Sequence, residues 1–136
     1  MRTLVLTSNG LRHKYFLKVI SENFELIGAV YEDKGEWDSK NQKESRVAEE
    51  HFIKLGSTEK DFFQDEIQKL SLKNVEIKNI NKNHINDEYI INWAKDLKPD
   101  IIFLFGTGIL KDGWLDRFEN KIINLHLGLT PFYRGS

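Results

Sequence analysis

The sequence predicts an α/β fold, a mostly parallel sheet of about five strands with flanking helices. Three observations predict it. Short apolar runs at residues 4–7, 26–31 and 101–105 alternate with stretches whose apolar residues recur at helical spacing. The first two runs, with the helix between them, occupy about 30 residues, the size of one parallel crossover unit. The third run, Ile101-Ile102-Phe103-Leu104-Phe105, is apolar on both faces, as a strand covered by helices on both sides must be.

Each element has its own signal. Ser8-Asn9-Gly10 ends the first strand in a tight turn, and Leu11, Tyr15, Phe16, Val19 and Ile20 then mark a helix. After the second strand the chain is heavily charged from Glu32 to Asn74. Within that stretch Val47, Ala48, Phe52 and Leu55 share one helical face, and Phe62, Phe63, Ile67 and Leu70 share another. Gly56-Ser57-Thr58 falls between them, so two amphipathic helices are expected, the second N-capped by Ser57 or Thr58, with a loop ahead of both around residues 35–41. Residues 75–80 alternate in polarity and predict a half-exposed edge strand. Asp87 is positioned to cap a helix that turns Ile90, Ile91, Ala94 and Leu97 inward and stops before Pro99. Beyond the strand at 100–105, Gly106-Thr107-Gly108 makes a turn, a short helix covers 111–118, and a last strand covers 121–125. Residues 1–136 read as one domain without internal repeats.

Composition narrows the function classes. The 136 residues carry 20 basic and 21 acidic side chains, so no basic excess favours nucleic acid as the main partner. The chain has no cysteine, which excludes disulfides, thiolate chemistry and cysteine-ligated zinc. No stretch approaches the roughly 20 apolar residues of a membrane helix, and only five apolar-leaning residues precede Ser8-Asn9-Gly10, too few for a signal peptide. A cytoplasmic setting without a membrane partner is expected. His13, His51 and His84 show no metal-ligand spacing and read as surface or core-edge histidines, so no metal is expected.

In open parallel sheets ligands bind beyond the carboxyl ends of the strands. The first such loop, with Ser8, Asn9, Gly10 and Arg12, is neither G-x-G-x-x-G nor a P-loop. It still offers a helix N-terminus and a guanidinium where an anion can bind. An ordinary strand-to-helix turn with a surface arginine accounts for the same residues. The second loop, Gly106, Thr107, Gly108, Ile109 and Leu110, has two glycines that permit close backbone approach to a flat ligand, or serve only the turn. The third holds Asn124 and His126, two apart and therefore on one face of a strand. An amide donor beside an imidazole can stabilise a developing oxyanion while the imidazole exchanges protons, which suits acyl-type transfer through a tetrahedral intermediate. A turn-capping Asn and a satisfied histidine are the alternative.

From Asn124 to Ser136 the sequence resembles the formyltransferase family that uses 10-formyltetrahydrofolate. Members carry N-x-H, then a small residue and Leu, a Pro, and an Arg-Gly; here these are Asn124, His126, Gly128-Leu129, Pro131 and Arg134-Gly135. The first loop, the strand at 101–105 and the "FGTGIL" turn look like the family's N-terminal, Rossmann-like half. The resemblance implies a truncated formyltransferase fold, with residues 1–136 as the N-terminal portion of the domain. It implies that Asn124 hydrogen-bonds the formyl oxygen and His126 stabilises or protonates the tetrahedral intermediate. Gly106, Thr107, Gly108, Ile109 and Leu110 would contact the pterin-like ring through their backbone. Ser8, Asn9, Gly10, Arg12, Pro131 and Arg134 would meet the amine-bearing small molecule. The family's third catalytic residue, an Asp, lies tens of residues past the Arg-Gly, so residues 1–136 alone are expected to turn over poorly. "LGLTPFYRG" looks closer to members that formylate amino sugars on sugar nucleotides than to tRNA-directed or purine-pathway members. A non-catalytic folate- or nucleotide-binding remnant of the same fold is the competing expectation.

Overall fold

The computed structural model of the chain describes residues 1–34 and 46–126, and the loop expected around residues 35–41 lies outside them. Among the described residues nine elements alternate in order: β1 (Arg2–Ser8), α1 (Leu11–Asn23), β2 (Glu25–Glu32), α2 (Arg46–Gln68), β3 (Glu76–Ile80), α3 (Glu88–Asp96), β4 (Ile101–Phe105), α4 (Asp112–Arg117) and β5 (Ile122–Asn124). The strands form one all-parallel sheet in the order β3-β2-β1-β4-β5. β1 is central and buried from Thr3 to Ser8, with Leu4, Val5 and Leu6 at zero exposure. Because every strand runs the same way, Ser8, Glu32, Ile80, Phe105 and Asn124 all end at one edge of the sheet. Strand order reverses between β1 and β4, the position where such sheets open a crevice.

Two cores flank the sheet. On one face Leu4, Leu6, Val30 and Ile102 pack against Ile90, Ile91 and Ala94 of α3 and Trp114 of α4. Trp114 is wholly buried, and its indole N–H donates to the Ile85 carbonyl at 2.7 Å, which removes the cost of burying that polar group. On the other face Val5 and Ala29 pack against Leu17 and Ile20 of α1, with Phe16, Phe24 and Phe103 at the margin. α2 lies on α1: Phe63 stacks on Tyr15 with ring centroids 4.7 Å apart, and Glu66 reaches the buried Lys18 ammonium at 3.3 Å.

Three expectations change. α2 is one helix of 23 residues, not two. The Ser57 and Thr58 hydroxyls do not cap a new helix; both donate back to the Lys54 carbonyl, at 2.9 and 2.8 Å, and so satisfy themselves inside a continuous one. The packing of α2 along α1 outweighs a single exposed glycine, whose helical cost is about 1 kcal/mol. A Cβ at Gly56 would meet nothing within 4 Å. Gly56→Ala is therefore expected to raise stability by about 0.5–1 kcal/mol, read as a higher urea midpoint with unchanged slope. Asp87 does occupy the N-cap of α3, but its carboxylate makes no cap bond and pairs with His84 Nδ1 at 2.7 Å instead. His13, expected at the surface or core edge, is buried at 4% exposure. β3 is an edge strand, as its alternation predicts.

Candidate functional site

The loops after β1 and β4 adjoin at the reversal of strand order, and Thr7 Oγ1 ties them by donating to the Phe105 carbonyl at 2.8 Å. Gly10 is the N-cap of α1 and offers no side-chain cap, and the first turn holds no acidic residue. No side chain of the cap or of the first turn therefore compensates the free N–H groups and the positive end of the helix dipole. Beside them is an open cleft of about 290 Å³ lined by Ser8, Asn9, Gly10 and Arg12, and also by His13, Lys34 and Glu59. Arg12 pairs with Glu59 of α2 at 3.0 Å, so the guanidinium forms a wall between the two helices and is not a loose surface charge.

His13 is the residue that the sequence did not single out here. Its ring lies 4.7 Å from the Phe105 ring and fills the space under two glycines. A Cβ would come within 2.9 Å of its Nδ1 at Gly10 and within 2.2 Å of its Nε2 at Gly106. Gly106 has φ +76°, which glycine alone adopts without strain. Nδ1 is buried and, among the described residues, has no hydrogen-bond partner. Burial, with Arg12 and Lys34 adding positive charge nearby, lowers the imidazole from 6.5 to about 4. His13 is therefore neutral at pH 7.

That depression sets a pH dependence. Above pH 6.5 the imidazole is neutral folded or unfolded, and nothing is lost. Below it the unfolded chain takes a proton that the folded chain refuses until about pH 4. Stability is expected to fall as pH drops through that window, by up to about 3 kcal/mol at its lower end. Urea midpoints at pH 7, 5.5 and 4.5 check this, and His13→Gln should flatten the slope.

The β4 loop is held from three sides. Gly106 rests on His13. The Gly108 N–H donates to Glu32 Oε2 at 2.6 Å, while Glu32 Oε1 accepts the Asn83 N–H at 2.9 Å. Asn86 donates to the Ile109 carbonyl at 2.9 Å and accepts the Lys111 N–H at 2.8 Å. Ile109 itself is 89% exposed. An acid at the end of the second strand is also where a dinucleotide's ribose is bound in many sheets of this kind. Here both Glu32 oxygens already accept backbone N–H groups, and the first loop has no G-x-G-x-x-G, so the dinucleotide reading has little to stand on.

Asn124 is the last residue of β5, on the edge of the sheet beyond β4, with its Cα opposite Leu104. It is exposed, and the next N–H, of Leu125, continues the pairing by donating to the Leu104 carbonyl at 2.8 Å. β5 ends at Asn124, so the two residues do not share one face of a strand as expected: His126 lies two residues past the strand and is half-buried. The N-x-H pair thus begins beside the β4 residue that lies two positions before Gly106. Pro131, Arg134 and Gly128-Leu129 lie outside the described residues. His51 and His84 are exposed, and among the described residues no three His, Asp or Glu gather as a metal site. Among them, too, no helix is long and apolar enough to cross a membrane.

No family model matches the chain. A methionyl-tRNA formyltransferase of Finegoldia magna is 41% identical over 58 residues, which are 42% of this chain and 19% of that protein. Another, from Borreliella afzelii, is 40% identical over 75 residues, 50% of this chain and 24% of that protein. The structure of phosphoribosylglycinamide formyltransferase from Anaplasma phagocytophilum superposes with a TM-score of 0.57 at 18% identity, over 99% of this chain and 53% of that one. The enzyme of that name from Streptococcus pneumoniae TIGR4 superposes with a TM-score of 0.53 at 14% identity, over 96% and 59%. The chain thus matches less than a quarter of the length of those sequence relatives and spans a little over half of those structures. Relatives by sequence and neighbours by fold together support a formyltransferase family, with the Rossmann-like five-stranded sheet that the neighbours share.

Proposed function

We propose, for a chain supported as a member of the formyltransferase family, that it belongs to an enzyme transferring a formyl group from 10-formyltetrahydrofolate to the primary amine of a small molecule. The observation that carries this reading is the position of the N-x-H pair: Asn124 ends β5 directly beside β4, whose loop then runs to Gly108 and Ile109. The folate supplies the formyl carbon. The loop suits its flat ring, because Gly108 and Ile109 are exposed, while the face that Gly106 frees is filled by His13. As the amine attacks and a C–N bond forms, negative charge gathers on the formyl oxygen, for which the Asn124 amide is the donor; collapse of the tetrahedral intermediate then breaks the bond between the formyl carbon and the folate nitrogen and releases tetrahydrofolate, whose nitrogen takes up a proton. His126 exchanges the proton that the amine must lose.

The acceptor is proposed to be an amino sugar on a sugar nucleotide. The α1 N-terminus with Lys34 beside it favours an anionic group such as a phosphate, while the Arg12 guanidinium is already shared with Glu59. The net charge of −1 gives no support to a large polyanion such as tRNA. The test incubates the full encoded protein with 10-formyltetrahydrofolate and, separately, an amino-sugar nucleotide, phosphoribosylglycinamide and methionyl-tRNA. Formylation of the sugar alone bears out the proposal. Formylation of either other acceptor replaces the substrate, and binding of the folate with no transfer to any amine favours the non-catalytic reading.

A further inference from the structure

We infer that Glu32 is a positioning residue that shapes the Gly106–Leu110 loop for its ligand, acting through the Gly108 N–H. The inference rests on the folate reading of that loop. Glu32 is 3% exposed, so its carboxylate depends on protein donors, and both oxygens have one: Gly108 N–H at 2.6 Å on Oε2 and Asn83 N–H at 2.9 Å on Oε1. The two donors belong to different loops, 76 and 51 residues away in sequence. One carboxylate at the end of β2 therefore joins the β3–α3 loop to the β4 loop. The β4 loop has no helix or strand of its own, and Asn86 fixes the stretch just beyond Gly108 at the Ile109 carbonyl and the Lys111 N–H.

The consequence is geometric. With Gly106 seated on His13, Gly108 on Glu32 and Ile109 on Asn86, the path between them is determined, and Ile109 is carried outward to 89% exposure. A ring that packs on this loop meets a surface set before it arrives, and pre-organisation of that kind strengthens binding without new contacts. Gln cannot replace Glu32. Its one carbonyl oxygen can receive one of the two N–H groups, and its NH₂ is turned against the other.

The test titrates the full encoded protein with 5-formyltetrahydrofolate, a reduced folate that does not donate its formyl group. Glu32→Gln is expected to weaken binding about tenfold or more, the loss of one charge-assisted hydrogen bond's worth of ordering. Asn86→Ala, which frees the other anchor, is expected to weaken it in the same direction; Glu32→Asp, which keeps the charge and shortens the reach to the Gly108 N–H, decides the matter by the same titration if Glu32→Gln does not fold. Glu88→Gln, which breaks a surface pair with Arg117, should leave binding unchanged. A role in stability alone would lower the unfolding midpoint of Glu32→Gln and leave the dissociation constant of the folded protein where it was, and that result overturns the inference. The amide resonances of Gly108 and Asn83 in the ligand-free protein give a readout independent of folate. Both should move in Glu32→Gln, and unmoved resonances also overturn the inference. If the unsubstituted protein binds no reduced folate, the proposed function itself falls, and with it the ligand assigned to this loop.

Discussion

His126→Ala is expected to lower kcat for formyl transfer by about 10²–10³-fold, with the KM for either substrate little changed. The reason lies in when the interaction is made. A group that exchanges a proton during attack contributes to the transition state and not to the resting complex, so its loss appears in kcat. Asn124→Ala is expected to lose a similar factor, equivalent to about 2.7–4 kcal/mol, because an amide donor aimed at a developing oxyanion has no substitute once removed. The exposed position of Asn124 on the sheet edge matters here, since its removal leaves no cavity and the protein stays folded. Residues that act together are not additive, so the double variant should be close to the worse single one. Single-turnover rates with the full encoded protein and saturating 10-formyltetrahydrofolate check this. A His126→Ala rate within threefold of the unsubstituted protein would place the chemistry elsewhere.

Much of this arrangement is legible locally. The apolar runs in β1, β2 and β4 have lengths and compositions that only buried parallel strands require, and the alternation at 76–80 marks β3 as an edge. Candidate residues follow from those strands by one rule, that ligands meet the carboxyl ends. What stays hidden is long-range. Nothing near Glu32 in sequence announces a loop 76 residues away, and nothing near Asn86 announces Ile109. His13 resembles any first-turn histidine until the sheet brings Gly106 over it. The single helix at 46–68 is hidden for a related reason: Gly56-Ser57-Thr58 is a sound local break signal, and only packing against α1 overrides it. Asp87 shows the same limit on a small scale, since its N-cap position is readable but its choice of His84 as partner is not.

Gly106→Ala is expected to cost about 3–4 kcal/mol of stability, from two separable sources. The first is backbone. At φ +76° an alanine sits in the left-handed region, at a cost of about 1–2 kcal/mol. The second is the contact with His13, whose Nε2 would lie 2.2 Å from the new methyl carbon. An exposed histidine would swing aside at little cost. This one has nowhere to go, because Gly10 closes against its other edge and Phe105 lies 4.7 Å from its ring. The strain is therefore passed to the β1 and β4 loops together, the two loops that the proposed substrates meet. The sources separate in a double-mutant cycle. His13→Ala should itself destabilise by leaving a cavity, but Gly106→Ala made on top of it should cost only the backbone part, leaving a coupling of about 2 kcal/mol between the two sites. Urea unfolding of the four proteins at pH 7.5 keeps His13 neutral in both states and measures the cycle directly. Strict additivity would mean that the imidazole yields freely to the methyl group, and His13 could not then be the rest on which the β4 loop is set.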